Sequence, residues 1–266
     1  MQSMGRHSLC ILVVALRLTI AVVLSIAVVP TLVSAQDQPS EKVVRTSTDP
    51  SPRQSRSIAG WTVHVDQRLL ASESTATTER ALALLNLQLD EIVRVVPAPA
   101  LAKLRKVPLY ISPEYPKTPP RAEYHPGRSW LREHGRDASM AKGVEFTNVR
   151  IFEAETRRMP NFALHELAHA FHDLNLPDGF SNAEIKAAYE RARAGGKYDR
   201  VERQNAEGKK RLDRAYALTT PQEFFAETTE AYFSRNDFFP YDARQLEQLD
   251  PETFALLTRL WSVNQP

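Results

Sequence analysis

His165, Glu166 and His169 are the residues of this 266-residue sequence whose types and spacing point most directly to chemistry. They form a His-Glu-x-x-His run inside the segment 161–173. On an α-helix, positions four apart lie one turn above each other on the same face, so both imidazoles can reach one metal ion. Two of the four positions of a zinc ion would then be filled, and Glu166 would stand beside them as a base for an activated water. The chemistry this spacing points to is metal-assisted hydrolysis. Its helical setting is legible as well. Pro160 suits a first turn, Phe162, Leu164, Leu167, Ala168 and Phe171 keep an apolar face, and Pro177-Asp178-Gly179 stops the run.

A catalytic zinc ordinarily takes three protein ligands and leaves its fourth position to water, so a third donor is needed. His172 lies seven residues from His165, about 10 Å along the axis, too far for both to share an ion. It reads as a wall residue or a satisfied surface histidine. The longer His-Glu-x-x-His-x-x-Gly-x-x-His pattern is absent, since Asn175 stands where its histidine would be. There remain Glu223 and Glu227, one turn apart in a helical run at 221–233. Either can face the histidines, because Thr220-Pro221-Gln222-Glu223 is also a capping box and Glu223 has a structural use of its own.

His165-Glu166-Leu167-Ala168-His169, followed by Tyr216-Ala217-Leu218-Thr219-Thr220-Pro221-Gln222-Glu223-Phe224-Phe225-Ala226-Glu227, resembles the catalytic domain of anthrax lethal factor and its bacterial relatives. The Pro-x-Glu-Phe-Phe-Ala run and the Tyr232-Phe233 pair are similar to the Mlc titration factor peptidases. The resemblance spans residues 160–234. It implies a zincin-type fold, a zinc ion as cofactor, and a peptide or protein substrate. It also implies roles: His165, His169 and Glu223 as ligands, Glu166 as general base, and Tyr216 steadying the transition state. Glu227 would accept a hydrogen bond from a ligand histidine, His165 first. The rival function is a non-catalytic extracellular module that holds zinc and binds peptides without cutting them; for Tyr216 the rival role is core packing.

The elements that must position these residues follow from patterning. Residues 61–65 alternate as a strand, 75–96 have helical spacing ended by Pro97, 107–112 form a second strand, and 143–152 are the longest strand-like run. The last of these either lies along the cleft as an edge strand, where it can bind substrate backbone, or sits in the sheet interior. Residues 112–141 read as loop. Ser181-Asn182-Ala183-Glu184 opens a helix to about residue 193, residues 195–213 read as a mobile charged loop or frayed helix, and helices follow at 221–233 and 251–261. Strands first and helices after give an α+β class, with a small N-terminal sheet packed on the His-Glu-x-x-His helix.

Composition bounds the rest. Hydrophobic content of 42% and charged content of 25% are ordinary for a soluble globular chain. Residues 1–35 differ: Arg6 and His7 precede an apolar stretch that ends in Val33-Ser34-Ala35, the pattern of a secretory signal cut after Ala35 or of an uncleaved anchor. Its removal takes away Arg6, Arg17 and no acid, so the formal charge of +2 falls to zero, and nothing here argues for a nucleic-acid partner. The only cysteine, Cys10, leaves with it, so a metal site must use His and carboxylates. Residues 36–57 carry almost no large apolar side chain and read as a disordered linker, with the folded domain at 58–266 in an exported, secreted or periplasmic, protein.

Overall fold

The computed structural model describes residues 52–262. The expected export signal and linker residues 36–51 lie outside them. The folded part begins earlier than expected: β1 (Arg53–Ile58) pairs antiparallel with β2 (Trp61–Asp66) across a two-residue turn, Ala59 and Gly60 both at positive φ. Residues 53–57 therefore belong to the sheet and not to the linker. Their polar side chains suit an edge strand, where burial is partial and charge discourages further pairing.

In β2, Trp61, Val63 and Val65 point into the core, and α1 (Thr75–Val95) lays Ala81, Leu82, Leu85, Leu89 and Ile92 against it. After the short α2 (Ala98–Leu104), whose Leu104 carbonyl accepts the Trp61 indole N–H at 2.9 Å, come β3 (Leu109–Ile111) and β4 (Ala122–Tyr124). Next are α3 (Arg128–Glu133) and β5 (Val144–Phe146). The sheet order is β1-β2-β3-β5-β4, with β2, β3 and β5 parallel and the two outer strands antiparallel.

Two sequence expectations are corrected here. The run 143–152 is a strand only over β5; a 3₁₀ turn at Val149–Ile151 and α4 (Phe152–Arg158) follow. Phe152 packs edge-on to Phe162, 4.7 Å between centroids, so the apolar side chains that read as strand serve a helix-to-core junction. Second, the segment 112–141 that reads as loop supplies β4, which takes the free edge; of the two placements left open for β5, the interior is the one found.

Strand β4 is held by buried charge. Glu145, fully buried on β5, lies 2.8 Å from the Tyr115 hydroxyl, 3.0 Å from His125 Nε2 and 3.3 Å from the Arg136 guanidinium. Arg136 also donates to Glu123 on β4. Burial raises the Glu145 pKa, but hydrogen bonds from His125, Ser112 and Tyr115 outweigh it and leave the group below the usual carboxylate range.

The helical part begins with α5 (Phe162–Asn175) and α6 (Ala183–Gly195), the latter capped by Asn182 rather than Ser181. The charged segment after it is neither helix nor irregular loop but a hairpin, β6 (Val201–Gln204) with β7 (Lys210–Asp213). Asn205 and Gly208, at φ +77°, make its turn, with the Asn205 side chain accepting from the Lys209 amide at 2.9 Å. β6 gains a second partner where Gln204 N–H donates to the Asp237 carbonyl at 2.8 Å, so charged side chains ride on a satisfied backbone. Helices α7 (Pro221–Phe233), α8 (Ala243–Leu249) and α9 (Pro251–Ser262) complete an α+β architecture. Among the described residues no helix is long and apolar enough to cross a membrane.

Glu145→Ala should cost about 3–5 kcal/mol of stability, because it removes the buried carboxylate shared by Tyr115, His125 and Arg136 and leaves Arg136 with Glu123 alone. Urea unfolding measures this, and a loss below about 1 kcal/mol would show that the network does not hold the sheet edge.

Candidate metal centre

Helix α5 is buried along most of its length, from Phe162 through His172. Asn161 caps it through the Leu164 N–H at 3.0 Å, and the Asn161 amide donates to the Gln88 carbonyl at 3.0 Å, which ties the helix start to α1. The facing helix, α7, starts at Pro221, and Thr220 Oγ1 caps it through the Glu223 N–H at 3.1 Å. The capping reading of Glu223 therefore applies to its backbone alone. Its carboxylate turns to the histidines.

His165 Nε2 and His169 Nε2 lie 3.1 Å apart, and Glu223 Oε2 lies 3.1 Å from the first and 3.5 Å from the second. Zinc binds such donors at about 2.0–2.2 Å, so three of them around one tetrahedral ion sit about 3.3–3.6 Å apart, close to the spacing found. Soft ligands are missing, and two imidazoles with one carboxylate suit zinc or a similar divalent ion. Burial opposes the charge on Glu223, yet hydrogen bonds from both histidines hold its carboxyl well below the usual range.

Behind His165 the structure departs from expectation. Glu227 Oε1 is 3.7 Å from His165 Nδ1, beyond hydrogen-bond range, and its other oxygen accepts from the Asn236 amide at 3.1 Å. The residue that meets Nδ1 is Glu230, whose Oε1 lies 2.5 Å away. The physical reason is helical geometry: Glu223, Glu227 and Glu230 share one face, and the position two turns beyond Glu223 comes level with the far side of the imidazole. That face pattern of acids was the available signal for Glu230. Both inner acids are raised above the usual range by burial; Glu230 adds repulsion at Glu227. Burial lowers His165, but Glu230 and Glu223 more than compensate and raise it well above an ordinary histidine.

The donors open onto a cleft of about 510 Å³, lined also by Tyr124, Glu166, Phe180 and Tyr216. Glu166 Oε2 accepts the main-chain N–H of Tyr124 at 2.8 Å. Tyr216 is 46% exposed on a 3₁₀ turn whose next residues, Ala217 and Leu218, are buried; it stands at the cleft wall and is not core packing. Desolvation raises its pKa, with Glu223 adding to the effect, so the hydroxyl keeps its proton near neutral pH. His172 is neither a surface residue nor satisfied. It is fully buried between Phe180 and Phe225, and neither ring nitrogen has a partner.

With this geometry in view, residues 146–261 match the family described as glucose-regulated metallo-peptidase M90. Over that span, a little under half of the chain, it is similar to zincin-type metallopeptidases. The match takes in α5, α7 and every donor of the centre, and leaves out β1 to β4. Such a family implies a divalent metal, typically zinc, and His165, His169 and Glu223 are a donor set of the right chemistry to hold it. No curated protein and no solved structure matches the chain.

Glu230→Gln should weaken divalent-metal retention about 10- to 100-fold in a chelator competition, while Glu227→Gln changes it less; the reverse order would return the supporting role to Glu227. His172 supplies a pH test. Burial, and next to it His169, lower its pKa to about 4 from 6.5. The unfolded chain therefore binds this proton first, and the folded state loses about 3 kcal/mol as pH falls from 6.5 to 4. His172→Leu should flatten that stretch of the stability profile in urea unfolding, and an unchanged slope would contradict the assignment.

Proposed function

We propose that this metallopeptidase is an exported zinc enzyme that hydrolyses peptide bonds, with Glu166 as general base. One observation carries the reading: His165, His169 and Glu223 converge on a point beside the Glu166 carboxylate, on an open cleft. Three protein donors with an open side are the pattern of catalytic zinc, whereas structural sites close all four positions. The export reading rests on residues 1–35 alone.

A zinc ion held by these three groups would supply Lewis acidity, bringing the pKa of water down to near 7 and polarising a carbonyl. The chain's own residues do the rest. Glu166 takes a proton from the attacking water and passes it to the departing amine, a role for which its carboxylate is within the cleft and already oriented by an N–H. The protonated Tyr216 hydroxyl donates to the oxyanion as it develops. Glu230 keeps the His165 proton on Nδ1, so that Nε2 presents its lone pair to the metal.

The substrate strand is assigned to β4 in place of the 144–152 run. Thr147 N–H bonds the Arg121 carbonyl at 2.9 Å and His125 N–H bonds the Gly143 carbonyl at 3.0 Å, so residues 121, 123 and 125 face β5. The main chain of Ala122 and Tyr124 faces the other way. An extended peptide adding there would meet the Ala122 N–H and the carbonyls of both residues.

Glu166→Gln should keep zinc at wild-type stoichiometry and lower cleavage of an unfolded protein mixture by about 100-fold or more. Mass spectrometry of the products with metal analysis checks both halves. Turnover surviving in the variant would remove Glu166 as base, and a zinc-loaded wild type that cuts nothing would favour a peptide-binding module.

A further inference from the structure

Tyr124 attaches the sheet edge to α5 at two points. Its main-chain N–H donates to Glu166 Oε2 at 2.8 Å, and its phenol donates to Asp173 Oδ2 at 2.6 Å, an oxygen that also receives Lys142 Nζ at 2.6 Å. Glu166 and Asp173 are seven residues apart, so the two contacts span two helical turns, about 10 Å. A glutamate on a helix has three rotatable side-chain bonds, and nothing in a His-Glu-x-x-His run itself holds its carboxylate toward the cleft. The edge strand supplies that constraint from outside the helix.

We propose that the Tyr124 amide is the positioning group of Glu166: by holding Oε2 it leaves Oε1 as the oxygen that handles the proton. This rests on the peptidase reading above and adds a division of labour between the two oxygens. As the water oxygen bonds to the carbonyl carbon, its proton moves to Oε1; as the C–N bond breaks, the same proton moves from Oε1 to the amine nitrogen. Oε2 stays bonded to the amide throughout. The buried Glu145, Arg136 and Glu123 network then bears on catalysis, because it fixes the strand that carries the N–H. The chain position makes the donor dispensable to the sheet: residue 124 turns its amide away from β5, so losing it breaks no bond of the β4–β5 ladder.

The direct test removes one hydrogen-bond donor. Replacing residue 124 by the corresponding hydroxy acid turns its amide into an ester and keeps the phenol. Tyr124→Pro removes the N–H genetically at an outward-facing edge position where proline is tolerated, with Tyr124→Ala as its side-chain control. Each protein is assayed on one peptide substrate for kcat, KM and zinc content. The ester should lower kcat about 10- to 100-fold against wild type, and Tyr124→Pro about as much against Tyr124→Ala, with KM within twofold and zinc unchanged. Should the proline variant not fold, the ester decides alone. An ester enzyme within twofold of wild-type kcat overturns the assignment while leaving the peptidase reading in place, and zinc loss or a rise in KM in step with the fall in kcat makes Tyr124 a purely structural residue and also overturns it. A wild type that hydrolyses no peptide overturns the peptidase reading, and this assignment with it.

Discussion

The structure depends on packing α5 against α7 so closely that a histidine of one is enclosed by acids of the other. His165 has Glu223 on its Nε2 side and Glu230 on its Nδ1 side, and Glu227 lies behind, all but Glu223 wholly buried. Taking several carboxylates out of water is costly, and the chain meets that cost in two ways. The inner pair, Glu227 and Glu230, is pushed above the usual carboxylate range by burial, with Glu230 also repelling charge on Glu227, while Glu223 is held well below that range by two imidazoles. A divalent cation among the three donors would complete the compensation, which gives the family match its physical sense. Aromatic packing maintains the approach of the helices: Trp261 stacks on Phe171 at 4.1 Å and on Phe225 at 5.9 Å, bridging the two.

A second constraint acts on the other side of the cleft. The sheet is shallow, with strands of three residues at β3, β4 and β5, too few ladder bonds to define an edge by themselves. The charge network around Glu145 supplies what the ladder lacks. Because Glu145, His125 and Arg136 are buried together, displacing β4 would strand a charge in the interior, and the strand is held in one position. From there its outward N–H reaches Glu166. Tyr124 thus joins sheet and helix at the cleft, and the hairpin β6–β7 reaches the same cleft through Arg203, which donates to Asp237.

Patterning reads local structure well where one side chain period dominates. Helix α1 runs from Thr75 to Val95 against an expected 75–96, and α7 matches its expected bounds, because apolar spacing and the flanking prolines act within the helix itself. It reads poorly where side chains serve remote partners. The apolar run 143–152 divides into strand, turn and helix because its residues pack on three different neighbours. The hairpin was hidden by its charges, although Asn205 and Gly208 carried its turn.

By itself the sequence determined the chemistry on offer: two histidines one turn apart, a glutamate beside them, and a later helix with acids along one face. Those follow from spacing on a helix, which is a property of the local chain. Only the tertiary structure decided which acid does what. Glu223 meets the Nε2 atoms, Glu230 and not Glu227 meets Nδ1, and β4 and not β5 forms the sheet edge. These outcomes depend on how far one helix is rotated and displaced against another, and differences of an ångström there separate a hydrogen bond from a near miss. The Tyr124 amide is the limiting case, since every residue but proline carries such a donor and only the fold gives this one a target.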